Sequence, residues 1–393
     1  MGRGLWGQRM QDMDDRPHAL LVSKPVVPPW NDSNRNLVRD LVAGGSRYRY
    51  HVLTTPGQGP TEGDAIREPI YAGAGSHSPG LKQNMPVFLR LLKPDSVPLY
   101  HFFFAPNRRT SQLIRLALGM KRRRLLVHTI CSAPAAWDGL DRLLFADHLV
   151  VLSEDTRRKF EAATSRPATL IPPCVPCGEP IPSARKAAVL AALGLPADRP
   201  LVLYAGDYQF SNAASVCVKA LPAMLAGNDA RFVFACRVKQ EKSRQVEAAL
   251  KLEVQALGLA GRVSFFNEVA DMEGLAAAVT LQVQPADSLY AKMDLPLVLL
   301  ESLREAVPVV VSDYGPLPEV LAGRDAGLVV PTGDASALAE AVRALLADPA
   351  RRAAMGETGR TLVQERFSPR TMAQSCESLY DALRSHGGAK GTK

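Results

Sequence analysis

The stretch from Lys292 to Glu319, KMDLPLVLLESLREAVPVVVSDYGPLPE, constrains the fold of this chain more than any other. Pro296 stands just before apolar residues at helical spacing, which predicts a helix with free N–H groups facing upstream. A Val-Pro pair ends that helix, and three consecutive valines then predict a short buried parallel strand. Doubly wound sheets bind nucleotides and phosphates where such strands meet helix N-termini. The stretch therefore predicts an α/β fold with an anion site at this helix.

The same stretch resembles the donor-site signature of glycosyltransferase family 4, roughly E-G-F-G-L-x-x-L-E-A-M-A-x-G-x-P-V-V-x-S-x-x-G-G-x-P-E. Glu301 falls on the second Glu of that pattern, and Gly315 and Glu319 also fall on their places. Met293 replaces the first Glu, with Asp294 next to it. The family consists of retaining enzymes of the GT-B type. The resemblance thus implies an α/β protein with two Rossmann-like domains whose parallel sheets face each other across a cleft.

The resemblance extends over nearly the whole chain in order, and it is strongest from about Leu201 to Tyr380. A chain of 393 residues is long enough for two domains, each with its own core. The implied division is an acceptor domain at 18–176, a proline-rich linker at 177–199, a nucleotide-sugar donor domain at 200–368, and a last helix at 369–387 that packs back on the first domain.

The cations of the donor site depart from the family pattern. Family members commonly place an Arg right after the glycine of the first donor-domain strand and a Lys about five residues later. Here Asp207 and Asn212 stand at these places, after Gly206. The next strand ends in Arg237 and Lys239, and we predict that these two cations hold the donor diphosphate. The alternative is an ordinary solvated pair in a basic protein.

The resemblance also implies the remaining donor-site roles. Glu301 would accept hydrogen bonds from the ribose hydroxyls, since a carboxylate can accept several. The loop after the third donor-domain strand would border the base, and the segment before the helix would form a wall against the sugar. The nucleotide-binding residues predicted in this way are Gly206, Asn267, Lys292, Leu295, Leu297 and Glu301.

The sequence offers no secure general base. Family members usually have Thr-x-His after the fifth strand, whereas here His128 precedes Thr129. Neighbouring strand residues face opposite sides, so His128 is either a cleft residue or a satisfied core histidine. The implied mechanism lets the leaving phosphate help to take the acceptor proton while cations stabilise the departing charge. The catalytic candidates are Arg237, Lys239, Asp294 and His128.

The formal net charge of +8 allows anionic substrates or surfaces. Residues 111–124 form a short basic amphipathic helix that either contacts an anionic membrane or is an ordinary solvated helix end. No run of about 18 apolar residues exists, and the first residues contain no apolar core of signal-peptide length. We therefore expect a cytoplasmic protein, with any membrane contact peripheral and at the inner face. We expect no nucleic-acid partner.

Cysteine usage gives little sign of a metal site. The six cysteines are scattered, which argues against a disulfide framework. Cys174 and Cys177 form the one CxxC, but a zinc site would need a second pair of ligands. We expect reduced, structural cysteines, no metal, and no cofactor besides the nucleotide-sugar substrate.

The resemblance thus implies a retaining, metal-independent glycosyltransferase that uses a nucleotide-diphosphate sugar, in polysaccharide, glycolipid or natural-product glycosylation. Two alternatives remain. The departures at 207, 212 and 293 favour a GT-B scaffold that has lost transfer activity and serves as a partner protein. A nucleotide-sugar 2-epimerase of similar architecture is the other.

Overall fold

Two parallel β-sheets organise the chain. The computed structural model describes residues 15–60, 63–73, 81–93, 96–119, 124–134, 136–238, 240–290 and 292–388, with the side chains of 81–83 and 386–388 left aside. The first sheet has seven strands in the order β3-β2-β1-β4-β5-β6-β7, and the second has six in the order β10-β9-β8-β11-β12-β13.

The first sheet is built from the first half of the chain. Its strands are β1 His18–Val22, β2 Arg49–Leu53, β3 Ala65–Glu68, β4 Leu99–Phe104, β5 Leu125–Ile130, β6 His148–Val151 and β7 Ala168–Leu170. Its helices are α1 Ser33–Gly44, α2 Leu81–Leu92, α3 Arg108–Gly119 and α4 Glu154–Ala163. Every pairing in this sheet is parallel, as expected for strands joined by helical crossovers.

The second sheet follows a helix of the connecting segment, α5 Ser183–Ala192. Its strands are β8 Leu201–Gly206, β9 Arg231–Cys236, β10 Val263–Phe266, β11 Leu281–Gln284, β12 Val309–Ser312 and β13 Gly327–Val330, all paired in parallel. The remaining helices are α6 Ala213–Leu225, α7 Glu241–Ala256, α8 Met272–Ala278, α9 Leu297–Arg304, α10 Ala335–Ala347, α11 Pro349–Arg366 and α12 Pro369–Gly388. The two sheets confirm the predicted GT-B architecture.

The strands are short apolar runs because both faces of each sheet are covered. The four residues of β12 are all buried, and the valines among them lie in the same apolar core as Leu299, Leu300 and Leu303 of α9. Helix α9 therefore packs on β12, the strand that follows it. This packing fixes the first turn of α9 at the carboxyl edge of the sheet.

Helix α12 returns to the first sheet. Its Glu377 carboxylate accepts the backbone N–H groups of Ser46 and Arg47, each at 2.9 Å. Deeper inside, the ring of His101 on β4 is hydrogen-bonded to the Tyr380 hydroxyl through Nδ1 and to the Thr129 hydroxyl through Nε2. A helix from the far end of the chain thus completes the core of the first sheet. The division at 176 and 199 stays a prediction, and each sheet falls within its proposed domain.

Candidate functional site

The segments that follow the carboxyl ends of the strands meet between the two sheets. The Asp294 N–H, in the segment after β11, donates to the Cys131 carbonyl after β5 at 3.0 Å. The Arg237 guanidinium, after β9, donates to the Asn31 carbonyl before α1. These contacts place the carboxyl edges of both sheets opposite each other, and ligands of such sheets bind at that edge.

Asp294 ties the two halves together. Its side chain is 2% exposed, and it accepts hydrogen bonds from the Ser153 hydroxyl and, at 2.7 Å, from the Thr156 hydroxyl, both at the start of α4. Burial raises the pKa of Asp294 to about 6. Both carboxylate oxygens are thus occupied by the first half of the chain. This corrects the expectation that Asp294 does the work of the missing family Glu beside the sugar.

Glu319 makes a second link to the same helix, which sequence reasoning missed. Its carboxylate accepts the backbone N–H groups of Glu154 at 2.7 Å and of Asp155 at 2.8 Å. A carboxylate is stabilised at a helix N-terminus by the free amides and the helix dipole. Asp294 and Glu319 together therefore occupy the N-terminus of α4. The only sequence signal was the position of Glu319 in the family pattern.

The N-terminus of α9 is different. Helix α9 begins after Pro296 with no side-chain cap and no acidic residue in its first turn. By contrast, Asp32 caps α1, and Asp287 accepts both the backbone and the side-chain N–H of Asn212 before α6, at 2.9 and 2.8 Å. Among these helices of the described residues, α9 keeps its first amides without a carboxylate. Leu295 and Leu297 pack in the core and fix this turn.

Glu301 lies on the second turn of α9. It is partly buried and makes no hydrogen bond or ion pair with any described residue. Burial, together with the nearby carboxylate of Glu273, raises the pKa of Glu301 to about 7, and Arg304 of α9 and Arg39 of α1 partly offset this rise. The carboxylate is thus left without a protein partner, as a group that binds ligand hydroxyls would be.

Lys292 is the described cation that most closely precedes α9 in sequence. Its Nζ lies 2.7 Å from the Asp207 carboxylate, at the end of β8. Asp207 also accepts the N–H groups of Gln209 and Phe210, at 2.8 and 2.6 Å, so it fixes the loop that holds the lysine. Sequence reasoning placed Lys292 in a wall against the sugar and missed this pairing. Asp207 stands where the family commonly has an Arg, so the pairing links that position to the segment before α9.

The two predicted diphosphate cations have different outcomes. Arg237 is exposed at the end of β9 and reaches across to Asn31 of the first half. Lys239 lies outside the described residues. A further cation, Lys24, follows β1 and pairs with Asp32 at 2.7 Å. Sequence reasoning missed Lys24 because no motif distinguishes a single lysine after a strand.

His128 lies in the core and not at the cleft surface. Its side chain has no exposed area, and its Nε2 is 3.0 Å from the Phe104 carbonyl. The ring stacks on Phe145 with centroids 4.9 Å apart, and burial lowers the pKa of His128 to about 4. Of the two alternatives, a cleft residue or a core histidine, the structure shows the core histidine. A neutral ring among aromatic side chains does not reach a substrate.

Gly206 and Asn267 also have structural explanations. A Cβ on Gly206 would come within 2.2 Å of the Tyr204 hydroxyl, so the close approach is made by a side chain of the protein. Asn267 is exposed at the end of β10 and donates to Glu247 at 3.1 Å. Within the described residues, no group of three or more His, Cys, Asp or Glu side chains is arranged to hold a metal ion. No described helix combines the length and apolar character needed to cross a bilayer.

The second half of the chain has recognisable relatives. Residues 186–362 match the family described as Glycosyl transferases group 1. The lipopolysaccharide core biosynthesis mannosyltransferase LpcC of Rhizobium leguminosarum bv. viciae is 30% identical over 195 residues, 49% of this chain and 54% of the relative. A GDP-mannose-dependent phosphatidylinositol monomannoside mannosyltransferase of Corynebacterium glutamicum is 28% identical over 242 residues, 59% of this chain and 61% of the relative. The chain spans about half the length of the curated relatives it matches.

Solved structures resemble the whole chain in fold. Sucrose-phosphate synthase from Thermosynechococcus elongatus has a TM-score of 0.69 at 22% identity, over 94% of this chain and 100% of that one. Anabaena Alr3699/HepE, solved in complex with UDP, has a TM-score of 0.68 at 15% identity, over 93% of this chain and 100% of that one. The solved structures thus define a GT-B fold, and residues 186–362 are similar to the group 1 glycosyltransferases.

Proposed function

We propose that this protein is a retaining, metal-independent glycosyltransferase that takes a sugar from a nucleotide-diphosphate sugar and passes it to an acceptor. The observation that supports this most directly is the first turn of α9. Its amides have no carboxylate partner, Lys292 precedes it, and Glu301 follows one turn later without a partner among the described residues. Free amides at a helix N-terminus bind phosphate groups.

The chemical groups of a nucleotide-sugar donor match successive positions along α9. The diphosphate lies against the first amides, where Lys292 neutralises part of its charge. Glu301, one turn further on, accepts hydrogen bonds from the ribose hydroxyls. Arg237 and Lys239 remain proposed contributors to diphosphate binding from the end of β9. Gly206 and Asn267 remain proposed neighbours of the nucleotide.

The names of the relatives agree with a nucleotide-sugar donor. One relative is a GDP-mannose-dependent mannosyltransferase, and a structural neighbour was solved with UDP and, separately, with UDP-glucose. These names indicate the donor class and leave the base open. We therefore propose a nucleotide-diphosphate sugar as the donor.

We propose that the enzyme retains the anomeric configuration of the sugar, because the positions expected to supply a general base do not supply one. Met293 stands where the family has its first Glu, and Asp294 is occupied by Ser153 and Thr156. His128 is buried. None of these three described positions therefore supplies a free base beside the proposed sugar site. A leaving phosphate that takes the acceptor proton on its own face, with cations stabilising the departing charge, requires none.

A donor screen tests this function. The full chain is incubated with UDP-, GDP- and ADP-sugars, and release of free nucleotide is measured. We expect slow release with one donor, and loss of that release in Glu301→Ala. Glu340→Ala, an exposed residue on α10, is the control and keeps the activity.

Two results of the same screen contradict the proposal. If neither donors nor nucleoside diphosphates bind, as judged by the thermal midpoint, the chain is a scaffold. If the released sugar is inverted at C2 and never reaches an acceptor, the chain is a 2-epimerase.

We also propose a peripheral membrane contact at the inner face. Helices α2 and α3 are neighbours, and five of their large apolar side chains are exposed: Met85, Leu89, Leu92, Leu113 and Leu116. Arg108 and Arg109 begin α3, which spans Arg108–Gly119 and not the predicted 111–124. Of the predicted basic run 121–124, residues 121–123 lie outside the described residues. Apolar side chains with basic neighbours bind anionic lipid surfaces.

Vesicle co-sedimentation tests this contact. Leu116, 64% exposed, is changed to Gln, and Leu252 of α7, 67% exposed, is changed to Gln as the matched control. We expect binding to phosphatidylglycerol vesicles that the first change weakens and the second leaves intact. Equal binding to neutral vesicles, or equal loss in both variants, contradicts the contact.

A further inference from the structure

A cavity of about 470 Å³ opens at the carboxyl ends of β9 and β10. Its lining residues are Val238 after β9, Arg244 and Glu247 on α7, and Asn267 and Glu268 after β10. The volume lies within the range of about 300–1,000 Å³ typical of small-molecule sites. The position is the edge at which doubly wound sheets bind nucleotides.

The loop that carries Glu268 is restrained by contacts with α7. Glu247 is only 6% exposed, and its carboxylate lies 2.7 Å from the Lys251 Nζ on the same helix. The same carboxylate accepts a hydrogen bond from the Asn267 side chain at 3.1 Å. Asn267 is thereby fixed to α7, and Glu268 is the next residue. The loop is ordered before any ligand arrives.

Glu268 itself is free to bind. It is exposed, and it makes no hydrogen bond or ion pair with any described residue. Its carboxylate offers two adjacent acceptors and no donor. Arg244, also exposed, offers a rigid fork of donors from α7. The lining of the cavity thus includes both paired acceptors and paired donors.

Among the common bases, only guanine complements both the Glu268 carboxylate and the Arg244 guanidinium. Guanine has two adjacent donors, N1–H and N2–H₂, and two acceptors, O6 and N7, which arginine binds with both arms of its fork. The single N3–H of uracil is flanked by two carbonyl oxygens, which a carboxylate would repel. The amino group of adenine is flanked by ring-nitrogen acceptors in the same way. Specificity of this kind arises from repulsion as much as from attraction.

We propose that this cavity binds guanine, with Glu268 accepting from N1–H and N2–H₂ and Arg244 donating to O6 and N7, so that the donor is a guanosine-diphosphate sugar. This rests on the proposed function. The apolar side chain of Val238 supplies surface for the ring.

Isothermal titration of the full chain with GDP, UDP and ADP tests the base. A bidentate contact discriminates against the wrong base, so we expect GDP to bind about tenfold more tightly than UDP or ADP. UDP or ADP binding as tightly as GDP overturns the guanine assignment and leaves the proposed function standing. Failure of all three nucleotides to bind overturns the proposed function itself.

The role of Glu268 is also tested by a variant that should gain affinity for a different nucleotide. This test does not rely on a loss of binding alone. In Glu268→Gln one acceptor becomes a donor, which matches xanthine, where a carbonyl oxygen replaces the 2-amino group. We expect this variant to lose about tenfold in GDP affinity and to bind xanthosine diphosphate more tightly than the wild type does. Misfolding cannot produce such a gain.

The matched control is Glu253→Gln, the same change on an exposed residue of α7 outside the cavity lining. It is expected to leave the GDP-to-xanthosine-diphosphate ratio as in the wild type. An unchanged ratio in Glu268→Gln, or an equal shift in both variants, overturns the role assigned to Glu268.

Discussion

The Asp294 carboxylate accepts the hydroxyl hydrogen of Thr156 at 2.7 Å, across 138 residues of sequence and across the boundary between the two sheets. Ser153 donates to the other oxygen of the same carboxylate. The segment that begins the proposed diphosphate-binding helix is therefore anchored in the opposite half of the molecule. The position of α9 depends on both halves of the chain.

Asp294→Ala is expected to destabilise the protein by about 1–3 kcal/mol, because it leaves two buried hydroxyls without an acceptor. Chemical denaturation measures the free energy of unfolding. The control is Asp313→Ala, which removes exposed hydrogen bonds to Thr332 within the second half and should cost less. An equal cost in both variants would show that the link between the halves adds nothing.

Lys292→Met is expected to weaken nucleoside diphosphate binding about tenfold or more, since a charge-assisted hydrogen bond is worth about 1.5–3 kcal/mol. Titration calorimetry measures the affinity. Lys219→Met, an exposed lysine on α6, is the control. An unchanged affinity in Lys292→Met would indicate that Arg237 and other cations, and not Lys292, neutralise the diphosphate.

The pH dependence of stability should reveal Glu301 and Asp294. Their pKa values in the folded protein, about 7 and about 6, lie above those of the unfolded chain, so the folded state binds more protons. Their contribution to stability is complete at pH values below their unfolded pKa and is lost as pH rises through 6 and 7.

We therefore expect the free energy of unfolding of Glu301→Gln to fall less between about pH 4 and pH 7 than that of the wild type. Denaturation at several pH values measures this difference. Parallel pH profiles for the two proteins would contradict the raised pKa of Glu301.

Gly44→Ala is expected to destabilise the protein although alanine favours helices. A Cβ at this position would lie 2.1 Å from the backbone carbonyl oxygen of Pro369, where α1 meets α12. Overpacking against a backbone costs about 1–3 kcal/mol, more than the helix propensity gained. In the control, Gly119→Ala, the added Cβ meets nothing within 4 Å. A rise in thermal midpoint for Gly44→Ala would contradict this close approach.

The sequence predicted those features that depend on neighbours along the chain. The order of strands and helices, the start of α9 and the position of Glu301 all follow from local apolar spacing and the family pattern. The link from Glu319 to Glu154 joins residues 165 apart, so no local pattern contains it. Strand alternation left two environments for His128, and packing against Phe104 and Phe145 decides between them.

The hydrogen bond between His101 and Tyr380 also has a consequence for biosynthesis. A ribosome exposes β4 long before it exposes α12, so the nascent first sheet has a buried histidine whose partner has not yet been translated. The core of the first sheet is therefore completed only after the residues around Tyr380 have left the exit tunnel.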